Sequence, residues 1–245
     1  MNIDLAGKVI LVTGGTGTLG SQLVKRALAE KAVVFFTYFK NEEQSRALIQ
    51  AGGRGIQTDL GSSAGIEKLK EEIKKQTPFL DGLVNNAGIV RDHTLTNLRD
   101  DDFDEVLRVD LTAAFLMIKK FLPMLYKKEG GKVVNVVSRV GIQGGFGEAN
   151  YAAAKAGLVA LTKTLAWETG RKKICANAVA PGFMLSKITE NLPEAVYEKQ
   201  KNDSCFGSFS DPAEVADFII YLLSNAVRNV SGQVFMFDSR KTKIF

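Results

Sequence analysis

Short apolar segments alternate with longer segments of helical periodicity along almost the whole of this chain. Several of the short segments are apolar throughout, which is typical of strands that are buried on both faces of a parallel sheet. Parallel strands need crossover connections, and a helix is the usual one. The alternation therefore predicts an α/β fold with right-handed crossovers. The predicted strands are residues 8–12, 32–38, 55–59, 82–86, 132–138, 173–179 and 233–238.

Helical periodicity fills the intervals between these strands, which predicts a doubly wound parallel sheet of about seven strands with helices on both faces. The 245 residues contain no Pro-rich or Ser-rich linker, so we expect a single domain over residues 1–245. Residues 184–210 break the alternation, and such an insertion after a strand is typical of a lid or substrate loop. The predicted helices are residues 19–30, 42–51, 64–76, 102–126, 151–168 and 212–223.

The composition excludes several classes of protein. Hydrophobic residues make up 45% of the chain and charged residues 24%, as in ordinary globular proteins, so intrinsic disorder is excluded. No apolar run reaches the roughly 20 residues that cross a bilayer, and the first residues do not resemble a signal peptide, which predicts a cytoplasmic protein without membrane insertion. One histidine and two cysteines leave no ligand set for zinc and no His-based triad, so we expect no bound metal.

The formal net charge of +5 is compatible with several anionic partners. These are a nucleic acid, a phosphorylated cofactor or an acidic carrier protein, and the alternative is a solvated basic surface that binds none of them. The aromatic residues fall in the predicted core strands rather than between basic residues, so we predict no nucleic-acid partner.

A glycine-rich stretch, TGGTGTLG, lies between the first predicted strand and the first predicted helix. Gly15, Gly17 and Gly20 match GxGxxG, the spacing of dinucleotide-binding loops, where glycines let backbone N–H groups and the helix N-terminus approach a pyrophosphate. The alternative is a glycine-rich turn that binds nothing. The predicted binding residues of the loop are Gly14, Thr16, Gly17, Thr18, Leu19 and Gly20.

The end of the second predicted strand bears on which dinucleotide is bound. NAD-binding loops usually place an Asp or Glu there, which accepts hydrogen bonds from the ribose and would repel a 2′-phosphate. This strand ends in TYFK, and the first acid is Glu42. Lys40 could pair with a 2′-phosphate, which favours NADP(H) over NAD(H), although Lys40 could also be an ordinary loop lysine.

Tyr151 and Lys155 stand four residues apart, which places both on one face of the predicted helix. A phenol with a pKa of about 10 is a weak acid, but a nearby ammonium stabilises the phenolate and lowers that pKa. Proton transfer to a carbonyl then becomes feasible near neutral pH. Ser138, at the end of a predicted strand, could hold the same carbonyl by a second hydrogen bond. A partly buried tyrosine beside a surface lysine is the alternative.

The motifs together resemble those of the short-chain dehydrogenase/reductase family, and most of all its bacterial 3-oxoacyl-[acyl-carrier-protein] reductases. The resemblance covers essentially the whole chain and implies a single-domain Rossmann fold. It is carried by the glycine loop, LVNNAGIVRD (83–92), the strand leading to Ser138, ANYAAAKAGL (149–158), NAVAPGF (177–183), DPAEVA (211–216) and SGQVF (231–235).

The resemblance also implies roles for individual residues. Tyr151 is the expected proton donor, Ser138 orients the carbonyl, and Lys155 lowers the tyrosine pKa and binds the nicotinamide ribose. Asp59 would contact the adenine beside Leu60. The segment from Asn85 to Gly88, with Asn86 and Ala87, would shape the cofactor pocket, while Pro181 and Gly182 would border the nicotinamide and Ser186 would hold its carboxamide. Hydride would pass from the nicotinamide to the carbonyl carbon.

Three positions depart from the family pattern. The usual TGxxxGxG has glycine where this chain has Thr18, although TGGTGTLG fits the TGxxGxxG of the extended branch. The usual catalytic Asn is replaced by Asp110, which keeps the main-chain carbonyl but adds a charge that would oppose phenolate formation. We therefore expect slower catalysis. The usual VDGG is replaced by FDSR (237–240), which puts the usual tetramer in question.

The expected function is NADPH-dependent reduction of a 3-oxoacyl thioester, carried by acyl carrier protein, to the (3R)-hydroxyacyl thioester in fatty acid biosynthesis. One alternative is reduction or oxidation of another ketone, such as a polyketide, a steroid or a sugar. Another is a weakly active nucleotide-binding partner subunit. We expect a homo-oligomer, a dimer or a tetramer. A basic docking patch for the carrier could be formed by Lys127, Lys128, Arg171, Lys172 and Lys173.

Overall fold

The computed structural model describes residues 3–186, 189–190 and 193–240. Its centre is one seven-stranded sheet in the order β3-β2-β1-β4-β5-β6-β7, and every pair of neighbouring strands is parallel. The predicted doubly wound Rossmann-type sheet is therefore confirmed. The strands are β1 Val9–Val12, β2 Val33–Tyr38, β3 Arg54–Gln57, β4 Gly82–Asn85, β5 Lys132–Val136, β6 Cys175–Pro181 and β7 Val234–Phe237.

Helices cover both faces of the sheet because successive side chains of each strand point to opposite faces. The α-helices are α1 Thr18–Ala29, α2 Glu42–Gln50, α3 Ser63–Gln76, α4 Asp100–Leu107, α5 Ala113–Leu125, α6 Val140–Gln143, α7 Ala149–Thr169, α8 Glu194–Asp203 and α9 Pro212–Leu223. In β1, Ile10 and Val12 join the hydrophobic cluster that includes α1 and α9, whereas Val9 and Leu11 join the cluster that includes α3 and α5.

The strand order reverses between β1 and β4, which lie side by side although three helices and two strands, from α1 to α3, separate them in sequence. In sheets of this type, ligands bind outside the carboxyl ends of the strands at such a switch point. The glycine loop follows β1 and the segment from Asn86 to Gly88 follows β4, so the sheet brings both to this crevice.

Two helical predictions were wrong in detail. The single helix expected over 102–126 is instead α4 and α5, joined by a π-helical segment, Arg108–Thr112. A π-turn changes the side-chain period locally, and the apolar pattern does not reveal it because the chain remains helical throughout. Residues 184–210 were expected to form a loop but include α8, which buries none of its described side chains and so shows no apolar periodicity.

The short helix α6 was not predicted either, and several element ends differ from the prediction by one or two residues. None of the helices in the described ranges is both long and apolar enough to cross a membrane.

Candidate active site

The loop after β1 is tightly folded, and its glycines are required by close contacts. Gly14 has φ +65°, and a Cβ there would lie 2.9 Å from the Cα of Ala87. A Cβ on Gly20 would lie only 2.1 Å from the carbonyl oxygen of Gly14. Gly17, in contrast, is exposed and has only that oxygen nearby, at 3.4 Å from a Cβ position. The loop therefore closes around Gly14 and Gly20 and leaves Gly17 facing outward.

The first turn of α1 presents backbone N–H groups without a side-chain cap. Gly17 precedes the helix and has no side chain to accept hydrogen bonds from Thr18 or the residues after it. The first N–H groups of a helix have no partner within the helix, and they carry its positive dipole end. An anionic pyrophosphate fits this arrangement. Among the other predicted residues of the loop, Thr16 is half-buried and the side chain of Leu19 packs in the core, so only the backbone of Leu19 can face a ligand.

Thr13 and Asn86 hold the β1 loop against the end of β4. The Thr13 hydroxyl oxygen accepts hydrogen bonds from the N–H groups of Asn86 (2.9 Å) and Ala87 (3.0 Å). The Asn86 side-chain amide donates to the carbonyl oxygens of Thr13 (3.0 Å) and Gly14 (3.2 Å). Sequence reasoning did not single out Thr13, and its position directly before the glycines was the available signal. Asn86, predicted to touch the cofactor, is engaged in shaping the loop.

The region expected to hold the adenosine half contains Lys40, Asp59 and Leu60. Lys40 is exposed beyond the end of β2, and its Nζ lies 5.3 Å from the centre of the Phe39 ring. Asp59 follows β3, and its Oδ1 accepts a hydrogen bond from the N–H of Gly61 at 2.9 Å, while Leu60 is half-buried. The end of β2 thus presents the cation of Lys40, and the first carboxylate after it is that of Glu42.

Asp110, Tyr151 and Lys155 are brought together by the π-helical segment and α7. The Nζ of Lys155 lies 3.0 Å from Oδ2 of Asp110 and 5.2 Å from the centre of the Tyr151 ring. It also donates to the carbonyl oxygen of Val136 at 3.3 Å. The predicted one-turn spacing of Tyr151 and Lys155 therefore forms a real cluster, in which Lys155 is already bound to a carboxylate.

Asp110 is buried and doubly held. Its Oδ1 accepts a hydrogen bond from the N–H of Ile89 at 2.8 Å, and its Oδ2 faces Lys155. Gly88 leaves the room for this, because a Cβ on Gly88 would lie 2.6 Å from Oδ2. The carboxylate is therefore part of the floor of the site, and the π-helical segment is the reason that it points inward.

The electrostatics of this cluster follow from burial. Burial raises the pKa of the Asp110 carboxyl, and the attraction of Lys155 and the Ile89 N–H oppose the shift without cancelling it. Burial disfavours the Lys155 ammonium, but the charges of Asp110 and Tyr151 outweigh it and raise the pKa of Lys155. Burial raises the pKa of the Tyr151 phenol, Lys155 opposes this, and the Asp110 carboxylate adds to it. Lys155 thus acts on Tyr151 in the expected direction, but burial and Asp110 together outweigh it.

Ser138 lies two residues beyond β5, close to the same cluster. Its Oγ accepts a hydrogen bond from the N–H of Val140 at 3.2 Å, so its own proton is free to be donated. The turn that follows packs directly on α7, since a Cβ on Gly141 would lie 2.7 Å from Cβ of Lys155. The Lys155 ammonium contacts the carbonyl oxygen of Val136, so it reaches the carboxyl end of β5 two residues before Ser138.

The segment after β6 closes the other side of the crevice. Pro181 is the last residue of β6, and the N–H of Gly182 donates to the carbonyl oxygen of Phe237 at 2.8 Å. A Cβ on Gly182 would lie 2.1 Å from Oγ of Ser210 and 2.8 Å from Oδ1 of Asp238, so a larger residue would displace these side chains. The N–H of Ser186 donates to the hydroxyl of Thr189 at 2.8 Å. Residues 187, 188, 191 and 192 of the predicted substrate loop lie outside the described residues.

The glycine cradle, the uncapped helix and the Ser, Tyr and Lys side chains fit a nicotinamide dinucleotide and a carbonyl compound. A family model described as "short chain dehydrogenase" matches residues 8–196. The chain is 35% identical over 240 residues to "3-oxoacyl-[acyl-carrier-protein] reductase FabG" of Aquifex aeolicus, covering 96% of this chain and 97% of that one. It is 36% identical over 239 residues to the protein of the same name from Thermotoga maritima, covering 96% and 97%.

Solved structures agree with this assignment. The structure described as "Pseudomonas aeruginosa RhlG/NADP active-site complex" superposes with a TM-score of 0.91 at 28% identity, covering 98% of each chain. A dehydrogenase/reductase from Sinorhizobium meliloti superposes with a TM-score of 0.90 at 31% identity, covering 97% of this chain and 96% of that chain. With the fold, the nucleotide cradle and the whole-length similarity in agreement, the chain belongs to the short-chain dehydrogenase family and is an NAD(P)-dependent oxidoreductase.

Proposed function

We propose that this protein reduces a 3-oxoacyl thioester to the (3R)-hydroxyacyl thioester with NADPH, the acyl group being carried by acyl carrier protein in fatty acid biosynthesis. The observation that carries the proposal is the pairing of Tyr151 with Lys155, whose ammonium contacts the carboxyl end of β5 two residues before Ser138. The substrate class is supported by relatives with 31–36% identity that are named 3-oxoacyl-[acyl-carrier-protein] reductases.

Each proposed catalytic side chain has one task. Ser138 donates a hydrogen bond to the ketone oxygen and fixes the carbonyl. Tyr151 gives its phenolic proton to the same oxygen, and Lys155 stabilises the phenolate that remains. When bound, NADPH supplies the hydride for the carbonyl carbon. No metal is needed in this scheme, because the two hydroxyl groups polarise the carbonyl.

Asp110 distinguishes this site from one in which Lys155 has only the tyrosine and the cofactor as partners. The carboxylate holds the ammonium at 3.0 Å and so competes with the phenolate for its charge. A weaker stabilisation of the phenolate makes Tyr151 a weaker acid, and we propose that the enzyme is slow for this reason. The observation also favours the second candidate, a nucleotide-binding partner subunit with little activity of its own.

The proposed cofactor residues surround the crevice at the switch point. The glycine loop and the first turn of α1 hold the pyrophosphate, and Lys40 binds the 2′-phosphate, which gives the preference for NADPH. Asp59 and Leu60 border the adenine. The nicotinamide end is held by Ala87, Gly88, Tyr151, Lys155, Pro181, Gly182 and Ser186.

The proposed partners are an acidic carrier protein and further copies of this chain, in the cytoplasm. Of the basic residues proposed for docking, Lys173 is 3.0 Å from Glu129 and Lys128 is 3.7 Å from Asp81, so part of this charge is already balanced. Self-association is supported by exposed aromatic side chains on α5 and α7: Phe115 is 42% and Trp167 is 88% exposed.

The test is a comparison of NADPH oxidation with acetoacetyl-carrier protein, other 3-oxoacyl thioesters and free ketones. We expect the carrier-bound thioester to give the highest kcat/KM, and Tyr151→Phe, which keeps the ring but removes the proton, to abolish turnover while NADPH still binds. Binding of NADPH without turnover of any ketone by the native protein would support the partner-subunit function instead. Preference for a free ketone over every thioester would overturn the proposed substrate.

A further inference from the structure

A cluster of charged side chains lies beside the proposed catalytic residues and has no part in the scheme above. Arg139 directly follows Ser138, and its Nε lies 3.9 Å from Oδ2 of Asp238. Arg240 lies on the other side of the same carboxylate, with its Nε 2.6 Å from Oδ2. Two guanidinium groups therefore share one carboxylate at the edge of the crevice.

The cluster lies beyond the carboxyl ends of β5 and β7, next to the segment after β6. Asp238 lies against Gly182, since a Cβ there would be 2.8 Å from Oδ1, and Gly182 borders the proposed nicotinamide position. Arg139, the other member of the cluster, directly follows Ser138, which is proposed to hold the ketone. Arg139 therefore lies between the ketone-binding hydroxyl and the segment after β6.

Arg240 is held by hydrogen bonds from its side chain, whereas Arg139 makes one long ion pair with the described residues. Arg240 donates to Asp238 from its backbone N–H at 3.0 Å and from Nε, and to Oε1 of Gln200 at 3.2 Å. Within the part of the chain that the structure describes, the guanidinium of Arg139 donates no hydrogen bond, and its distance from Asp238 is too long for one. The Arg139 side chain is only 23% exposed, so water can accept hydrogen bonds from only some of its N–H groups.

The charges around Arg139 do not compensate its burial. Burial lowers the pKa of the Arg139 guanidinium, and the charge of Arg240 lowers it further, against the opposing carboxylates of Asp238, Asp203 and Glu148. The group nevertheless stays charged, because the ordinary pKa of arginine is so high. Asp238 is already bonded to Arg240, and the pKa of the Glu148 carboxyl is raised by burial and by Asp92. A half-buried cation without an acceptor gains from an anion.

We propose that Arg139 is an anion-binding subsite of this enzyme, which binds a carboxylate or phosphate oxygen of the ketone substrate, with Arg240 adding a second positive charge. This inference rests on the proposed ketone reduction and refines its substrate class. A carboxylate would belong to a short oxo acid, because Arg139 is adjacent to the ketone-binding residue. A phosphate would belong to the pantetheine or coenzyme A part of a thioester, and it would reach Arg139 only with that long, flexible arm folded back toward the ketone. The shared chemistry is an anionic oxygen that accepts hydrogen bonds from the guanidinium.

The first test uses matched pairs of substrates. The pairs are a short oxo acid and its neutral ester, and acetoacetyl-coenzyme A and a neutral acetoacetyl thioester without phosphate. In Arg139→Gln we expect kcat/KM to fall by about 10- to 100-fold for the anionic member of one pair only, because one charge-assisted interaction is lost. Which pair responds identifies the carboxylate or the phosphate. Arg139→Lys keeps the charge and should restore part of the loss.

The control is Arg26→Gln on α1, which removes an equal charge from an exposed ion pair with Asp217 of α9. It should change neither pair. An equal fall for neutral and anionic substrates in Arg139→Gln would show a structural role for Arg139 and overturn the proposal. Thermal unfolding of each variant, measured in parallel, separates this result from a general loss of folded protein.

The second test does not depend on turnover. Calorimetry with the NADP⁺-loaded protein measures binding of 3-hydroxybutyrate, its methyl ester and coenzyme A. We expect Arg139→Gln to weaken binding of one of the two anions by about 10-fold or more and to leave the ester unaffected. If no ketone is reduced but this difference is present, the subsite stands and the proposed reaction falls. If ketones are reduced but neither anion binds more weakly to the variant, the reaction stands and the subsite falls.

Discussion

Replacing Asp110 by Asn removes the carboxylate that lies 3.0 Å from the Lys155 ammonium and keeps the size of the side chain. The amide oxygen can still accept the hydrogen bond that Oδ1 now receives from the N–H of Ile89, so the π-helical segment keeps its anchor. The change therefore acts mainly on charge. Because the Asp110 carboxylate raises the pKa of Tyr151, its loss should make Tyr151 a stronger acid.

The size of the effect follows from the distances. The Lys155 nitrogen is 5.2 Å from the centre of the Tyr151 ring, and the Asp110 oxygen is 3.0 Å from that nitrogen. The carboxylate is therefore within about 8 Å of the ring and opposes phenolate formation by about 2 kcal/mol at an effective dielectric constant of about 20. Two kcal/mol is a factor of about 30 in rate, and only part of the charge develops in the transition state. We expect kcat of the Asn variant to rise about 3- to 30-fold.

The assay is NADPH oxidation with a 3-oxoacyl thioester at saturating concentration, measured across pH. Reduction needs the protonated phenol, so a lower pKa of Tyr151 should also move the alkaline decline of kcat to lower pH. Asp104→Asn, an equal change at an exposed position of α4, is the control and should have no effect. An unchanged or lower kcat in the Asp110 variant, with an unmoved alkaline limb, would refute the reasoning and show that Lys155 needs its carboxylate.

Three further predictions concern stability and cofactor choice. Gly20→Ala places a Cβ 2.1 Å from a backbone oxygen, so we expect the free energy of unfolding to fall by about 1–3 kcal/mol and NADPH binding to weaken. Gly170→Ala is the control, because a Cβ there meets open space, and it should change the free energy of unfolding by less than about 0.5 kcal/mol. Melting curves with and without NADPH check both variants. Lys40→Gln should raise the Kd for NADPH about 10-fold and leave that for NADH unchanged in a fluorescence titration, and equal effects on both would contradict the proposed phosphate contact. The raised pKa of Lys155 gives the native protein stability that is present below the ordinary value of 10.5 and is lost as pH rises through the raised value. In Asp110→Asn the largest influence that opposes burial is lost, so the pKa of Lys155 should fall. The unfolding free energy of the variant minus that of the native protein should then increase as pH rises toward 10.5 in denaturant titrations, and a constant difference would show that the two charges are not coupled.

The parts of the structure that could be predicted from sequence are those governed by local patterns. The apolar segments correctly predicted seven strands and their approximate positions along the chain. The spacing of Tyr151 and Lys155 correctly predicted that both lie on one face of a helix. The glycines of the loop were recognisable because a tight turn before a helix leaves little choice of residue. The sequence from 102 to 126 was correctly predicted to be helical. Its π-helical segment was not predicted, because one extra residue in a turn produces no recognisable change in the types of residue present.

The contacts that could not be predicted join residues far apart in the chain. Arg139 and Asp238 meet because β5 and β7 flank β6 in one sheet, and no local pattern shows this. The direct pairing of Asp110 with Lys155 depends on the inward turn of the π-helical segment and on the small Gly88 opposite it. α8 was missed because it has no buried face, so its sequence carries no amphipathic signal.

The hydrogen bonds between Thr13 and the end of β4 have a consequence for folding. The nucleotide loop is completed by Asn86 and Ala87, which lie more than 70 positions further along the chain. The loop therefore cannot take its binding shape while β1, β2 and β3 alone have been synthesised, and closing so long a segment costs entropy before any of these contacts form. A fragment that ends before β4 should have the complete glycine motif and still bind no nucleotide. The ability to hold a cofactor thus arises late in the folding of this chain, although its most recognisable sequence stands near the beginning.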